Sequence, residues 1–527
     1  MLHKNMKKSK LFVFGLIIPA VIGLTGCIFN PLSPSEEIVI EPPKIELVSS
    51  MKINLRKRTQ KKLNPVLSNT EIKNPVFLYS SSNSSVATVA GDGTITAIAP
   101  GTCKIHVTLQ SNTEVKTSVD LTVTNDETSE YDYTIMFYMC GSDLEYNEEA
   151  KSPAEHGFFT EDIKEILSVE NIPDSVKIII ETGGSKKWFM PGTYLEGASK
   201  ISSTNLQRWE VNNATNKLSL IETLPGNYMA KESSFEEFLN WGLDDYEADQ
   251  MGVVISGHGG GIAGCAYDDN YTYIYGKDNV FPNTLGTQEV ATAAKRALAN
   301  SSKSKFTWIG YDCCVMQSAD IASINADYFE YMVASQELEN ATGWNHDEYL
   351  PSLKENTRIE PTEFLPKICD AFVSDNEKYC SFEEKCLQTL SVLDLSKMSS
   401  FISAFNSLSN SIGTLKLSYE KVKLAFNSSY NSFGDSIFGL CDFSSLLDNL
   451  DVLYNVSSVQ SALNDLVLYN KYCSKYSITP CGVNAFFPEC LDDEYILQVG
   501  KEDYTGDLAT KFTTWQKMCL LHGDFGW

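Results

Sequence analysis

At 527 residues the chain is longer than one hydrophobic core ordinarily organises, and a scale of about 150 residues per domain points to two to four units. With 43% hydrophobic and 21% charged residues it is not a disordered chain. Its 68 acidic and 42 basic residues give a net charge of −26, which excludes nucleic acid as a partner because phosphate binding needs the opposite sign.

The first 27 residues read as an address. Lys4, Lys7, Lys8 and Lys10 form a basic region, Leu11 to Leu24 is apolar, and Leu24-Thr25-Gly26-Cys27 follows. Thr25 and Gly26 would pass at a plain secretory cut. The same four residues also resemble a bacterial lipobox, which implies cleavage that leaves Cys27 as a lipidated N-terminus. The expected location is then the bacterial cell envelope, lipid-anchored and facing outward at the cell surface or in the periplasm. No later segment reaches the ~20 apolar residues of a membrane helix. Setting Cys27 aside from the 14 cysteines leaves 13, an odd number, so at least one thiol stays unpaired.

Residues 28–43 are rich in Pro, Ser and Glu and read as a tether. From 44 to 125 short alternating stretches (SVATV, GTITAI, CKIHVTL, SVDLTVT) are broken by Gly91-Asp92-Gly93 and Pro100-Gly101, which predicts a small all-β sandwich. The run SSSNSSVATVAGDGTITAIAPGTCKIHV resembles the group 2 bacterial Ig-like domains, implying spacing or adhesion rather than chemistry.

After an acidic linker (NDETSEYD) the character changes. Apolar runs at 133–139, 175–181, 252–256, 306–311 and 329–335 alternate with helix-like stretches such as FTEDIKEILSV and TQEVATAAKRALA, the latter with Thr287 as N-cap. Continuous apolar strands separated by helices predict an α/β fold, with a mostly parallel sheet sandwiched by helices. Ligands on such sheets sit beyond the C-terminal strand ends.

Two strand ends carry reactive residues. Gly257-His258-Gly259-Gly260-Gly261 follows one, and Asp312-Cys313-Cys314 follows another. Glycines beside an imidazole admit close approach of a substrate and leave the Gly259 amide free to donate. They also suit a simple turn that His258 caps, and two adjacent cysteines also suit small apolar filler. Neither GxGxxG nor GK[ST] spacing is present for a phosphate loop, and no CxxC or HxxxH occurs for a zinc site, so no metal ligands are assigned. If the strands are neighbours, a His and a Cys project from one edge. That pairing fits nucleophilic catalysis, in which a thiolate attacks a carbonyl, the imidazole moves the proton and backbone amides receive the oxyanion.

The segments GVVISGHGGGIAGCAYDD and WIGYDCCVMQSADIA, in that order, resemble the clostripain-like cysteine peptidases. YTIMFYMCGSDLE, VASQELENATGWNHDEYL, TLSVLDLSKM and CGVNAFFP extend the resemblance over about 133–520. It implies a caspase-like peptidase domain at 131–527, with a core at about 131–350 and a helical and strand extension at about 351–527. By register with the family pattern, Cys314 is the nucleophile, Cys313 fills a small-residue position and His258 is the catalytic imidazole. The Gly259 and Cys314 amides form the oxyanion site. Asp312 floors the pocket for the residue before the cut, which implies Arg or Lys there; a helix N-cap is its other reading. Val315, Gln317 and His346 depart from the family's usual residues, His346 standing where Tyr is common.

No cofactor is required by this chemistry. Calcium supports some members, and Asp268 and Asp269 are the pair that would hold a cation, although two adjacent acids also suit a solvated turn. Family members are often cut between the His and Cys strands, and Lys277 is the candidate here. The expected function is a cell-surface endopeptidase acting on proteins or peptides after Arg or Lys. The alternative is an inactive adhesin or scaffold lipoprotein.

Overall fold

The computed structural model describes residues 42–522 apart from 48–49, 56–59, 69–71, 73, 126–130, 151, 153–154, 198, 276–278, 300, 380–387, 432–438, 475–478 and 488–510. The leader with Cys27, the tether up to residue 41 and Lys277 therefore lie outside the described residues.

The described residues of 44–124 form two main sheets around one core, with Lys44–Glu46 and Val66–Ser68 as a separate antiparallel pair. One has four strands in the order Ser50–Asn54, Lys116–Thr124, Gly101–Leu109 and Phe77–Ser81; the other has Gln60–Lys62, Thr94–Ala97 and Ala87–Val89. Period-two alternation sends Ile105, Val107 and Leu109, with Val119, Leu121 and Val123, into one small core. Lys61 pairs with Asp245, and Asn64 donates to Glu222 at 3.4 Å, so this domain is tied to the next by polar contacts.

The second domain is built on nine strands: β1 (Tyr131–Cys140), β2 (Val176–Gly183), β3 (Leu206–Asn212), β4 (Lys217–Leu224), β5 (Ala248–Ser256), β6 (Phe306–Asp312), β7 (Phe329–Ala334), β8 (Thr389–Asp394) and β9 (Val467–Tyr472). Their order across the sheet is β4-β3-β2-β1-β5-β6-β7-β8-β9. The five central strands, β2 to β7 across the sheet, run parallel as expected, and an antiparallel pair closes each edge. The last two strands come from the region read as an extension, so they complete the same sheet rather than a separate unit.

Both faces are covered. Along β1, Ile135, Phe137 and Met139 join one core with α1 (Phe158–Ser168) and α4 (Pro361–Tyr379). Met136, Tyr138 and Cys140 join the other with α2 (Glu232–Asp245) and α3 (Thr287–Ala299). This explains why the central strands read as unbroken apolar runs. Helix α3 begins at Thr287, one residue earlier than an N-cap there would require. Glu289 reaches back to accept from the Gly286 amide at 2.8 Å and satisfies that end instead.

Trp308 on β6 lies flat over Gly252 on β5 and donates from Nε1 to Tyr133 Oη at 2.8 Å. A Cβ on Gly252 would sit 2.2 Å from Trp308 Cε2. Gly252→Ala is therefore expected to destabilise the protein by about 1–3 kcal/mol through overpacking. Urea unfolding checks this, and an unchanged midpoint would show that the indole has room to move.

Candidate active site

Three parallel strands end together. Met139 of β1 is level with Ser256 of β5, and Ser256 is level with Asp312 of β6. The residues that follow each strand, Gly141-Ser142-Asp143, Gly257-His258 and Cys313-Cys314, thus emerge from one edge.

His258 Nε2 lies 2.6 Å from Asp143 Oδ1, and the imidazole meets the Tyr267 ring edge-on with centroids 5.9 Å apart. The hydrogen bond to His258 holds the Asp143 carboxyl below its ordinary range, against the opposing effect of burial. Asp143 was not singled out from the sequence as a site residue. Its signal was available, since it follows the end of β1 as His258 follows β5.

Gly259 packs against the Cys314 backbone. A Cβ there would lie 2.2 Å from Cys314 O and 2.9 Å from Cys314 N, so only glycine fits. The short bridge between Gly259 and Cys265 is held by Ala266 N to His258 O and Gly260 N to Gly264 O. The Gly259 amide takes no part in it.

The adjacent cysteines differ in environment. Cys313 is buried and its thiol donates to the Ile255 carbonyl at 3.4 Å, whereas Cys314 is half-buried and borders a cavity. Cys314 Sγ accepts from the Glu339 amide at 3.4 Å. Burial pushes the Cys314 thiol above its ordinary range, and the Asp312 charge adds to the effect, so at rest the sulfur holds its proton. Val315 follows with φ +54, a left-handed conformation that a β-branched side chain adopts only under constraint. Ser142, beside Asp143, has φ +42.

The cavity holds about 100 Å³ and is bordered by His258, Cys314, Leu144, Asp162, Asp312 and Glu339. Asp312 does not cap a helix; that role falls to Ser318, which accepts from the Ile321 amide. Gly343, at φ +60, brings its Cα up to the Asp312 carboxylate, where a Cβ would be 3.1 Å from Oδ2. Burial pushes the Asp312 carboxyl up to about 6. Asp162 and Glu339 are pushed well up, first by burial and then by the Asp312 charge. The cavity floor is therefore a cluster of three buried carboxyl groups that shares little negative charge at neutral pH and lacks a bordering Arg or Lys among the described residues.

Asp162 and Glu339 were also missed in the sequence. Asp162 stands on the apolar face of α1 among Phe159, Ile163 and Ile166, an acid that breaks the period of the helix. Glu339 lies in a loop, where no periodicity exists to betray it. His346 is fully buried, and burial lowers it to about 3, leaving it neutral. Gln317 is buried too and donates to the Ser391 carbonyl on β8 at 2.8 Å. Asp268 is not in a solvated turn: it is buried and accepts from the Met229 and Asn270 amides at 2.6 and 2.8 Å. Those amides already satisfy its oxygens, and burial pushes neighbouring Asp269 up to about 6.

A family model for the clostripain family matches residues 138–504. The chain belongs to the clostripain family. It is a cysteine endopeptidase of that family, preceded by a domain that matches the bacterial Ig-like domain (group 2) over residues 57–119. No curated protein matches the sequence. Among solved structures, a secreted C11 cysteine protease from Bacteroides thetaiotaomicron is 16% identical, covering 68% of this chain and 93% of its own, with a TM-score of 0.49. An inactive zymogen C11 protease from Parabacteroides distasonis is 14% identical, covering 73% and 99%, also with a TM-score of 0.49.

The raised Asp312 carboxyl has a stability consequence in this peptidase. In the unfolded chain it would ionise at ~3.9. The folded state holds its proton up to about 6, so ionisation opposes folding increasingly as pH rises between these values and by a constant amount above them. That amount is about 3 kcal/mol. Asp312→Asn in a Cys314→Ala background is expected to raise the unfolding midpoint at pH 8 and to leave it nearly unchanged at pH 4. Equal shifts at both pH values would show that the carboxyl is not held neutral.

Proposed function

We propose that this clostripain-family peptidase cleaves after Arg or Lys at the outer face of the cell envelope, with Cys314 as nucleophile and His258 as its proton acceptor. The observation that carries the reading is the cavity itself, which a half-buried thiol, an imidazole and buried carboxyl groups border without an Arg or Lys among the described residues. A guanidinium or ammonium supplies the missing charge, and the planar guanidinium pairs better with a carboxylate.

In the proposed mechanism the Nε2–H of His258 donates to Asp143, which leaves Nδ1 as the base. The Cys314 proton moves to Nδ1 as sulfur attacks the carbonyl carbon, and the Gly259 and Cys314 amides receive the oxyanion. His258 then protonates the leaving amine, and water hydrolyses the thioester. Asp143 acts as a positioning residue that sets the tautomer. No step calls on a cofactor, and the environment of Asp268 offers no support for calcium at that pair.

Peptides differing only in the residue before the cut test this reading. Arg is expected to be cleaved best, Lys next, and Leu at least tenfold less well, because a neutral side chain leaves buried carboxyl groups unpaired. Cleavage of the Arg peptide should weaken as pH falls below about 6, where Asp312 takes up its proton. Cys314→Ala should abolish turnover while Cys313→Ala retains most of it. Equal cleavage of Arg and Leu peptides would remove the substrate class, and an active Cys314→Ala would remove the nucleophile.

We also propose that a lipid on Cys27 is the attachment to the membrane. No helix among the described residues is long and apolar enough to cross one. Cys27→Ala should release the protein into the soluble fraction, since several acyl chains hold stably where none hold at all. Retention on washed membranes would count against the anchor.

A further inference from the structure

The residue that departs from the family's usual Tyr, His346, is buried beside Asp162 and Asp312, two of the acids that border the cavity. A carboxylate oxygen of Asp162, one of Asp312 and a ring nitrogen of His346 lie within 4.8 Å of one another, and all three residues are buried. His346 Nδ1 is 2.7 Å from Tyr349 Oη. Its Nε2 is fully buried and makes no hydrogen bond. A buried ring nitrogen without a partner ordinarily costs stability, and a group that needs a lone pair or supplies positive charge removes that cost.

We propose that Asp162, Asp312 and His346 form a binding site for a divalent transition metal ion of the zinc class. Two carboxylate oxygens and one imidazole nitrogen suit such an ion better than calcium or magnesium, which take oxygen alone. Three protein ligands would leave a coordination position for water. The outer shell is present: with Nδ1–H donated to the Tyr349 hydroxyl, Nε2 carries the lone pair. The His346 amide also donates to Glu165 at 3.0 Å, one turn along α1 from Asp162, and this fixes the two elements relative to each other. The ligands are separated by 150 and 34 positions in the sequence (312 − 162 and 346 − 312), so no short spacing motif announces them.

The ion would occupy the floor on which a substrate's basic side chain is proposed to rest, because Asp312 belongs to both arrangements. Bound metal and bound Arg should then exclude each other. That consequence, unlike the metal site, rests on the proposed cleavage after basic residues.

The test uses the full chain carrying Cys314→Ala, which removes the reactive thiol as a competing ligand. Titration with Zn2+ by calorimetry is expected to show one saturable site per chain. Co2+ should give ligand-field absorption without a thiolate charge-transfer band. His346→Leu and Asp162→Asn, each with its metal-free unfolding midpoint checked, should weaken binding by more than the roughly 10–100-fold that loss of an outer-shell partner brings. No saturable binding, a thiolate band, or unchanged affinity in a folded His346→Leu variant would overturn the site. An Arg peptide should raise the apparent metal dissociation constant. Metal binding that needs His346 but ignores the peptide would leave the metal site standing and refute the basic-residue pocket.

Discussion

The level pairing of β5 with β6, which sets Ser256 opposite Asp312, is the constraint on which the rest of the site depends. In a parallel pair the side-chain positions on neighbouring strands stay in step, so residues equally far beyond the two ends emerge side by side. His258 and Cys314 are each two residues past that level. Gly259 then tucks under the Cys314 backbone, and no side chain larger than hydrogen fits between them. One register therefore brings imidazole and thiol to the border of one cavity, with Gly259 against the Cys314 backbone. A slip along either strand would separate them.

The same edge stores unfavourable energy. Val315 and Ser142 hold left-handed backbone beside the two ends of the site, and three carboxyl groups are buried around one cavity. Such arrangements persist where the surrounding structure over-determines them. Here the sheet is covered on both faces by continuous apolar cores, with Trp209, Trp308, Trp344 and several tyrosines fully buried. The site stands at the ends of buried strands, and the apolar packing beneath it offsets the cost of its charge.

How much of this could be read beforehand varied with the physical origin of each feature. The parallel strands were legible because burial on both faces leaves unbroken apolar runs, and the two strand-end motifs were legible because glycine and cysteine are chemically distinctive. The antiparallel edges were less so: β8 and β9 lie far along the chain and are joined to the sheet only by tertiary pairing. Asp143, Asp162 and Glu339 come from three other segments and reach the site only through the fold, Asp143 at His258 and the other two at the cavity. Of these, Asp162 alone breaks a helical pattern, because burying an acid on an apolar helix face contradicts the period that built the helix. The residues 268 and 269 mislead for the opposite reason, since adjacent acids look like a solvated turn until backbone amides are found surrounding one of them.

The resting chemistry of the thiol follows from the same electrostatics. Cys314 is raised by burial and by Asp312, and its sulfur is held by the Glu339 amide rather than ionised by a neighbouring cation. His258, meanwhile, is occupied by Asp143 through Nε2. A neutral thiol over an acidic floor is a weak nucleophile. On the proposed reading, a basic side chain entering the cavity would cancel the field of Asp312 that opposes thiolate formation. The carboxylate proposed to select the substrate would then also set the cost of forming the thiolate, because Asp312 lies within electrostatic reach of Cys314.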